Sequence, residues 1–86
     1  METINITVRF FAMLKGKVGK GEATLTIPEN TSLGKLKEIL KGQFPSIAEL
    51  IDKKNIMFSV NQEFATNNTI IKDGDEVALL PPFSGG

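Results

Sequence analysis

The 86-residue chain contains no cysteine and no histidine. Without cysteine there is no disulfide framework, no thiolate nucleophile and no sulfur-based metal site. Without histidine the common catalytic triads, mixed Cys/His zinc sites and the usual general base near neutral pH are also excluded. Net charge is missing too, because ten basic residues cancel ten acidic ones. No long-range positive field is therefore expected, which argues against a dedicated binder of nucleic acid or of an anionic membrane. No basic-then-apolar leader opens the chain, and no apolar run approaches the roughly 20 residues needed to span a bilayer. The expected location is cytoplasmic, and stability must come from packing alone.

What is present is ordinary globular composition, 41% hydrophobic and 23% charged. The length suits one small domain. Ile4, Ile6, Val8 and Phe10 alternate with Asn5, Thr7 and Arg9, the period of a half-buried strand. The three glycines at 16, 19 and 21 predict a mobile surface loop from Lys15 to Gly21. Ala23, Leu25 and Ile27 alternate again and stop at Pro28, so the first two strands read as an antiparallel hairpin. Thr31 is the expected N-cap of an amphipathic helix carrying Leu33, Leu36, Ile39 and Leu40, which ends near Gly42 and before Pro45. Ile47, Leu50 and Ile51 predict a further helical turn.

A third strand carries Ile56, Phe58 and Val60, followed by a tight turn at Asn61-Gln62. Turns at Asn67-Asn68 and Asp73-Gly74-Asp75 precede a last strand with Val77 and Leu79 inward and Ala78 and Leu80 on the opposite face. One main helix packed on one face of a mixed sheet is the economical arrangement, an α+β roll of ubiquitin-like β-grasp topology. The expected division is a folded domain over 1–80 and a flexible C-terminal tail over 81–86 ending in Gly85-Gly86.

Several local patterns suggest chemistry and fail on spacing. Gly16 and Gly21 have the separation of a phosphate loop, but Glu22 stands where lysine is required. Gly19 and Gly21 begin a dinucleotide fingerprint that Thr24 does not complete. Asp73, Asp75 and Glu76 resemble the start of a calcium loop, yet Val77-Ala78 offer no side-chain oxygen, and Asp-Gly is first a turn signal. No carboxylate pair can be placed in one pocket. The expectation is a protein with no catalytic residue and no stably bound cofactor or metal of its own.

The tail is a different matter. Glycine-only backbone is slender enough to enter a narrow crevice of another protein, and six extended residues from Pro81 reach roughly 20 Å at about 3.3–3.6 Å each. A terminus used in this way needs a docking surface beside it. Phe11 and Leu80 are off the inward parity of their strands, Phe64 follows the Asn61-Gln62 turn, and Phe83 lies within the tail. These side chains are expected to form an apolar patch on the helix-free face of the sheet.

Val60-Asn61-Gln62, Asp73-Gly74-Asp75-Glu76-Val77-Ala78 and Pro81-Pro82-Phe83-Ser84-Gly85-Gly86, with Val8-Arg9-Phe10-Phe11-Ala12 in the first strand, resemble the MoaD/ThiS family of sulfur carriers, and most of all the small subunits of molybdopterin synthase. The resemblance implies that a ubiquitin-activating-like adenylyltransferase (MoeB-like) adenylates Gly86. A persulfide donor then converts it to a thiocarboxylate, and the large synthase subunit (MoaE-like) uses the sulfur for the molybdopterin dithiolene. It also implies that Gly85 is the slender neighbour, that Pro81 and Pro82 stiffen the base of the tail, and that Phe11, Phe64 and Leu80 contact both partners in turn. ATP, magnesium and zinc would belong to the activating partner. Three other uses of the same end stay open: a ubiquitin-like modifier conjugated through Gly86, a sulfur carrier for thiamin thiazole synthesis, and a binding module that never uses its terminus.

Overall fold

Alternation of the first strand is realised to the residue. In the computed structural model, which describes residues 2–53 and 55–81, β1 (Thr3–Phe10) buries Ile4, Ile6, Val8 and Phe10 and exposes the residues between them, Thr7 in part. It pairs antiparallel with β2 (Glu22–Pro28), Ile6 opposite Leu25 and Val8 opposite Ala23. After the helical middle of the chain come β3 (Met57–Val60), β4 (Glu63–Phe64) and β5 (Glu76–Leu80). The sheet runs β2-β1-β5-β3-β4, with β1 and β5 parallel and the other pairs antiparallel. The sheet is mixed, as expected, and its last strand lies at the centre.

The main helix, α2 (Leu33–Gln43), presses Leu33, Leu36 and Leu40 into the sheet. A 3-10 turn (Pro45–Ile47) and a short helix, α3 (Ala48–Asp52), add Ile47 and Ile51 to the core, as their spacing predicts. Phe10 meets Phe44 edge-on, ring centroids 5.0 Å apart, which ties β1 to the end of α2. Lys41 bridges from α2 to Asp52 and also reaches Glu38. Hydrogen bonds to Asp52 first and Glu38 second raise the Lys41 pKa above the usual lysine value.

Two local expectations are corrected. The segment Lys15–Gly21, expected as a mobile loop, begins inside a helix, α1 (Met13–Val18). Leu14 and Val18 are one turn apart; Leu14 is wholly buried and Val18 partly so, and their burial holds the turn in place. Gly19, at φ 92°, ends it by donating its N–H to the Lys15 carbonyl at 2.9 Å. The N-cap of α2 is Ser32 and not Thr31: Ser32 Oγ accepts the Lys35 N–H at 3.2 Å, while the buried Thr31 hydroxyl donates to the Pro28 carbonyl. Leu33 and Gly34 N–H groups donate to the Thr69 and Asn67 carbonyls, so the turn at Asn67-Asn68 closes over the helix end.

Ala12, between β1 and α1, has φ 53° and ψ −129°, a region that suits glycine. Strain of this kind costs about 1–3 kcal/mol. Ala12→Gly relieves it and loses about 0.5–1 kcal/mol to the freer unfolded chain. The expected net gain of about 1 kcal/mol raises Tm by roughly 4–8 °C in a domain of this size, as calorimetry would show. A lower Tm would mean that Ala12 sits there without strain.

Among the described residues no helix is long and apolar enough to cross a membrane. The tail residues Pro82, Phe83, Ser84, Gly85 and Gly86 lie outside the described residues.

Candidate docking site on the open sheet face

With α2 on one face, no helix among the described residues covers the groove on the other, and strand register decides what that face displays. Glu22, Arg9, Ala78, Ser59 and Phe64 fall in one lateral row across all five strands. Two small side chains, Ala78 and Ser59, occupy its middle. The sheet is therefore low along β5 and β3 and high at the flanks, which makes a groove of about 270 Å³. Phe11 and Leu80 wall one end, Phe64 and Gln62 another, and Arg9 with Glu76 complete the rim.

Of the expected patch, Phe11, Phe64 and Leu80 line this one groove, and Phe83 lies outside the described residues. Phe11, 36% exposed, stands just beyond β1, where its N–H donates to the Leu79 carbonyl at 3.3 Å. Phe64, 74% exposed, is held over the groove by β4 and by the turn at Asn61-Gln62. Both turn residues have positive φ, 53° and 72°, the two-residue geometry that matches strand twist. Leu80, half-buried, is the last residue of β5, and half-buried Pro81 follows it, so the groove adjoins the end of that strand. Pro81 is the one tail residue in view.

Arg9 and Glu76 are lining residues that periodicity alone passes over, because polar residues on an outward parity look merely solvated. Their side chains pair at 3.4 Å, and the Arg9 guanidinium lies 5.4 Å from the Phe11 ring centroid. Exposed as it is, the pair adds at most about 1 kcal/mol to stability. It sets the Arg9 guanidinium beside the Phe11 ring. Ser59 and Ala78 were also hidden, since a small side chain matters here only through what stands beside it.

The carboxylates of the acidic turn before β5 accept hydrogen bonds from the protein itself. Asp73 accepts the Asn5 N–H at 2.8 Å; Asp75 accepts the Lys72 N–H at 2.8 Å and the Asn61 amide at 2.9 Å. Asn61 in turn accepts the Glu76 N–H at 3.0 Å, which joins this turn to the β3–β4 hairpin. Gly74, at φ 83°, makes the reversal. Among the described residues no group of three or more His, Cys, Asp or Glu side chains is placed to hold a metal ion. The arrangement offers an apolar surface with an ionic rim.

These features define a ubiquitin-like β-grasp protein with a groove on the sheet face opposite its main helix. Residues 8–86 match the ThiS family, and the chain belongs to it. It is 31% identical over 84 residues to the molybdopterin synthase sulfur carrier subunit of Arabidopsis thaliana, covering 98% of this chain and 85% of that protein. Among solved structures, SAMP1 from Haloferax volcanii superposes with a TM-score of 0.85 at 26% identity, covering 95% of this chain and 99% of that one. Another is the complex of subunits 1 and 2 of molybdopterin-converting factor from Helicobacter pylori; a chain of it aligns with a TM-score of 0.68 at 26% identity, over 96% of this chain and 100% of that one.

Proposed function

We propose that this chain is the sulfur-carrier small subunit of a molybdopterin synthase. The observation that carries this reading is the similarity over nearly the whole chain to molybdopterin synthase sulfur carrier subunits, 31% identical in Arabidopsis thaliana, within a family match that spans residues 8–86 and takes in the Gly85-Gly86 end. In this reading the Gly86 carboxylate attacks the α-phosphate of ATP on a MoeB-like adenylyltransferase, and pyrophosphate leaves. The acyl-adenylate so formed has a good leaving group, which a free carboxylate lacks. The terminal sulfur of a persulfide then displaces AMP to give an acyl disulfide with the donor. A thiol attacks the donor-side sulfur and ends in a disulfide with it, and the thiocarboxylate that leaves is a soft nucleophile held at the end of a narrow chain. ATP, magnesium and zinc belong to the activating partner.

The sulfur is delivered to the active site of a MoaE-like large subunit. The Helicobacter pylori complex, in which a similar chain is joined to a second subunit, supports such a partner. Phe11, Phe64 and Leu80 are the proposed contacts, with Pro81 and Pro82 directing Phe83, Ser84, Gly85 and Gly86 outward. One groove serving two partners requires their binding to be mutually exclusive.

Intact-mass analysis tests the reading. After incubation with the activating enzyme, ATP and a persulfide donor, one oxygen of the chain is replaced by sulfur, and fragmentation places the change at Gly86. An unmodified chain after verified activation would overturn it. Similarity to SAMP1, a small archaeal modifier protein, favours one second reading, conjugation through Gly86 to lysines of other proteins. Gly86 found in isopeptide linkage to cellular lysines would establish that use.

Phe64→Ala separates docking from folding. Phe64 is mostly exposed, so its truncation changes stability by less than about 0.5 kcal/mol. An aromatic anchor at the centre of an interface contributes about 1–2 kcal/mol or more, so Kd for the large subunit rises at least about fivefold by calorimetry. Unaltered affinity would take Phe64 out of the contact.

A further inference from the structure

β2 is one edge of the sheet, and the β1 ladder determines which of its backbone groups face outward. The Phe10 N–H donates to the Gly21 carbonyl at 2.9 Å and the Glu29 N–H to the Glu2 carbonyl at 3.0 Å, both in register with Ile6 opposite Leu25. Hydrogen-bonded positions alternate in an antiparallel pair. Odd-numbered residues of β2 therefore bond to β1, while Glu22, Thr24 and Thr26 turn their N–H and C=O groups away from the sheet. Edges of this kind are normally blunted by lysine, proline or a bulge. Here Pro28 guards only the far end.

Two further observations indicate what fits this edge. On its inward side Ala23 and Leu25 are only partly buried, whereas Ile27 is fully so, because the core stops short of the strand's outer border. The two flanks of the strand also differ in charge. Lys15, whose side chain lies 3.4 Å from where a Gly21 Cβ would stand, and Lys20 mark its start; Glu2 and Glu29, joined by their backbone bond, mark its finish.

We propose that β2 pairs antiparallel with β2 of a second copy about a two-fold axis through Thr24. That register sets Glu22 of each copy opposite Thr26 of the other and completes three outward hydrogen-bonded pairs. It covers Ala23 with Leu25 of the second copy. It also brings the lysine end of each strand beside the glutamate end of its neighbour, and antiparallel pairing alone makes those charges complementary. A continuous sheet results, with the groove around Ala78 and Ser59 open on both copies.

Sedimentation velocity on the full chain alone, from micromolar to millimolar concentration, tests this. A reversible monomer–dimer equilibrium that weakens as salt rises is expected. Thr24→Pro deletes an outward N–H and leaves the β1 ladder intact, so the dimer weakens by about tenfold or more with unchanged far-ultraviolet circular dichroism. If that variant unfolds, Thr24→Lys is read in its place, since it sets two lysines face to face on the axis. Lys20→Glu weakens the dimer, and adding Glu29→Lys restores it. A monomer at every concentration, or a dimer indifferent to the folded Thr24 variants, overturns the proposal. So does hydrogen exchange in which the amides of residues 22, 24 and 26 gain protection only when the large subunit is added.

Discussion

Deletion of Gly86 is expected to abolish thiocarboxylate formation and to leave thermal stability unchanged. The chemistry needs a carboxylate on a residue with no side chain; in the shortened chain the carboxylate belongs to Gly85 and stops one residue short of the activating site, up to about 3.6 Å. Misplacement by about 1 Å already lowers rates on the order of a hundredfold, so a whole residue removes turnover. Stability rests elsewhere. Among the described residues the buried core ends at Leu79 on β5. The outcome is read as absence of the sulfur mass shift together with a Tm within about 1 °C of the parent. A fall of several degrees would place Gly86 in the folded structure, and retained sulfur loading would place the modification elsewhere.

Leu80→Glu is expected to damage both partnerships while the domain still folds. Leu80 is half-buried and lines the groove. Losing its contact with a partner forfeits about 1.5–3 kcal/mol of apolar burial. Enclosing a carboxylate there adds a desolvation penalty. Together they raise Kd about a hundredfold or more, at 1.4 kcal/mol for each factor of ten. In the free protein the carboxylate stays in water, so unfolding remains cooperative and Tm falls by only a few degrees. Titration calorimetry against the large subunit and against the activating enzyme reads the effect. Weakening of one and not the other would show that the two do not share this surface.

The strands were legible in the sequence because their signals are local. Ile4, Ile6, Val8 and Phe10 repeat at the strand period, and the same residues are buried. Val77 and Leu79 are buried between the partly exposed Ala78 and Leu80 for the same reason. The groove was legible only in outline. Phe11, Phe64 and Leu80 betray themselves by breaking parity or following a turn, but the Ala78 and Ser59 floor exists only through register between strands distant in sequence. Arg9 and Glu76, 67 positions apart, meet because β1 and β5 are parallel neighbours, and nothing near either residue announces the other. The helix α1 was obscured because glycines at 16, 19 and 21 outweigh one Leu14/Val18 pair in a reading by composition. Thr31 and Ser32 are both good caps, and only the hydroxyl's destination separates them.

β5 is the third of the five strands in space, hydrogen-bonded to β1 on one side and β3 on the other. Any pull on residues 81–86 is therefore a load on the central strand, applied along its axis. Both ladders resist in shear, and the Asp75–Asn61 linkage anchors the far end of the same strand. A load applied at that end is carried by both ladders at once, so it does not peel the domain apart strand by strand. Threading by an unfoldase from that end would meet its hardest obstacle first.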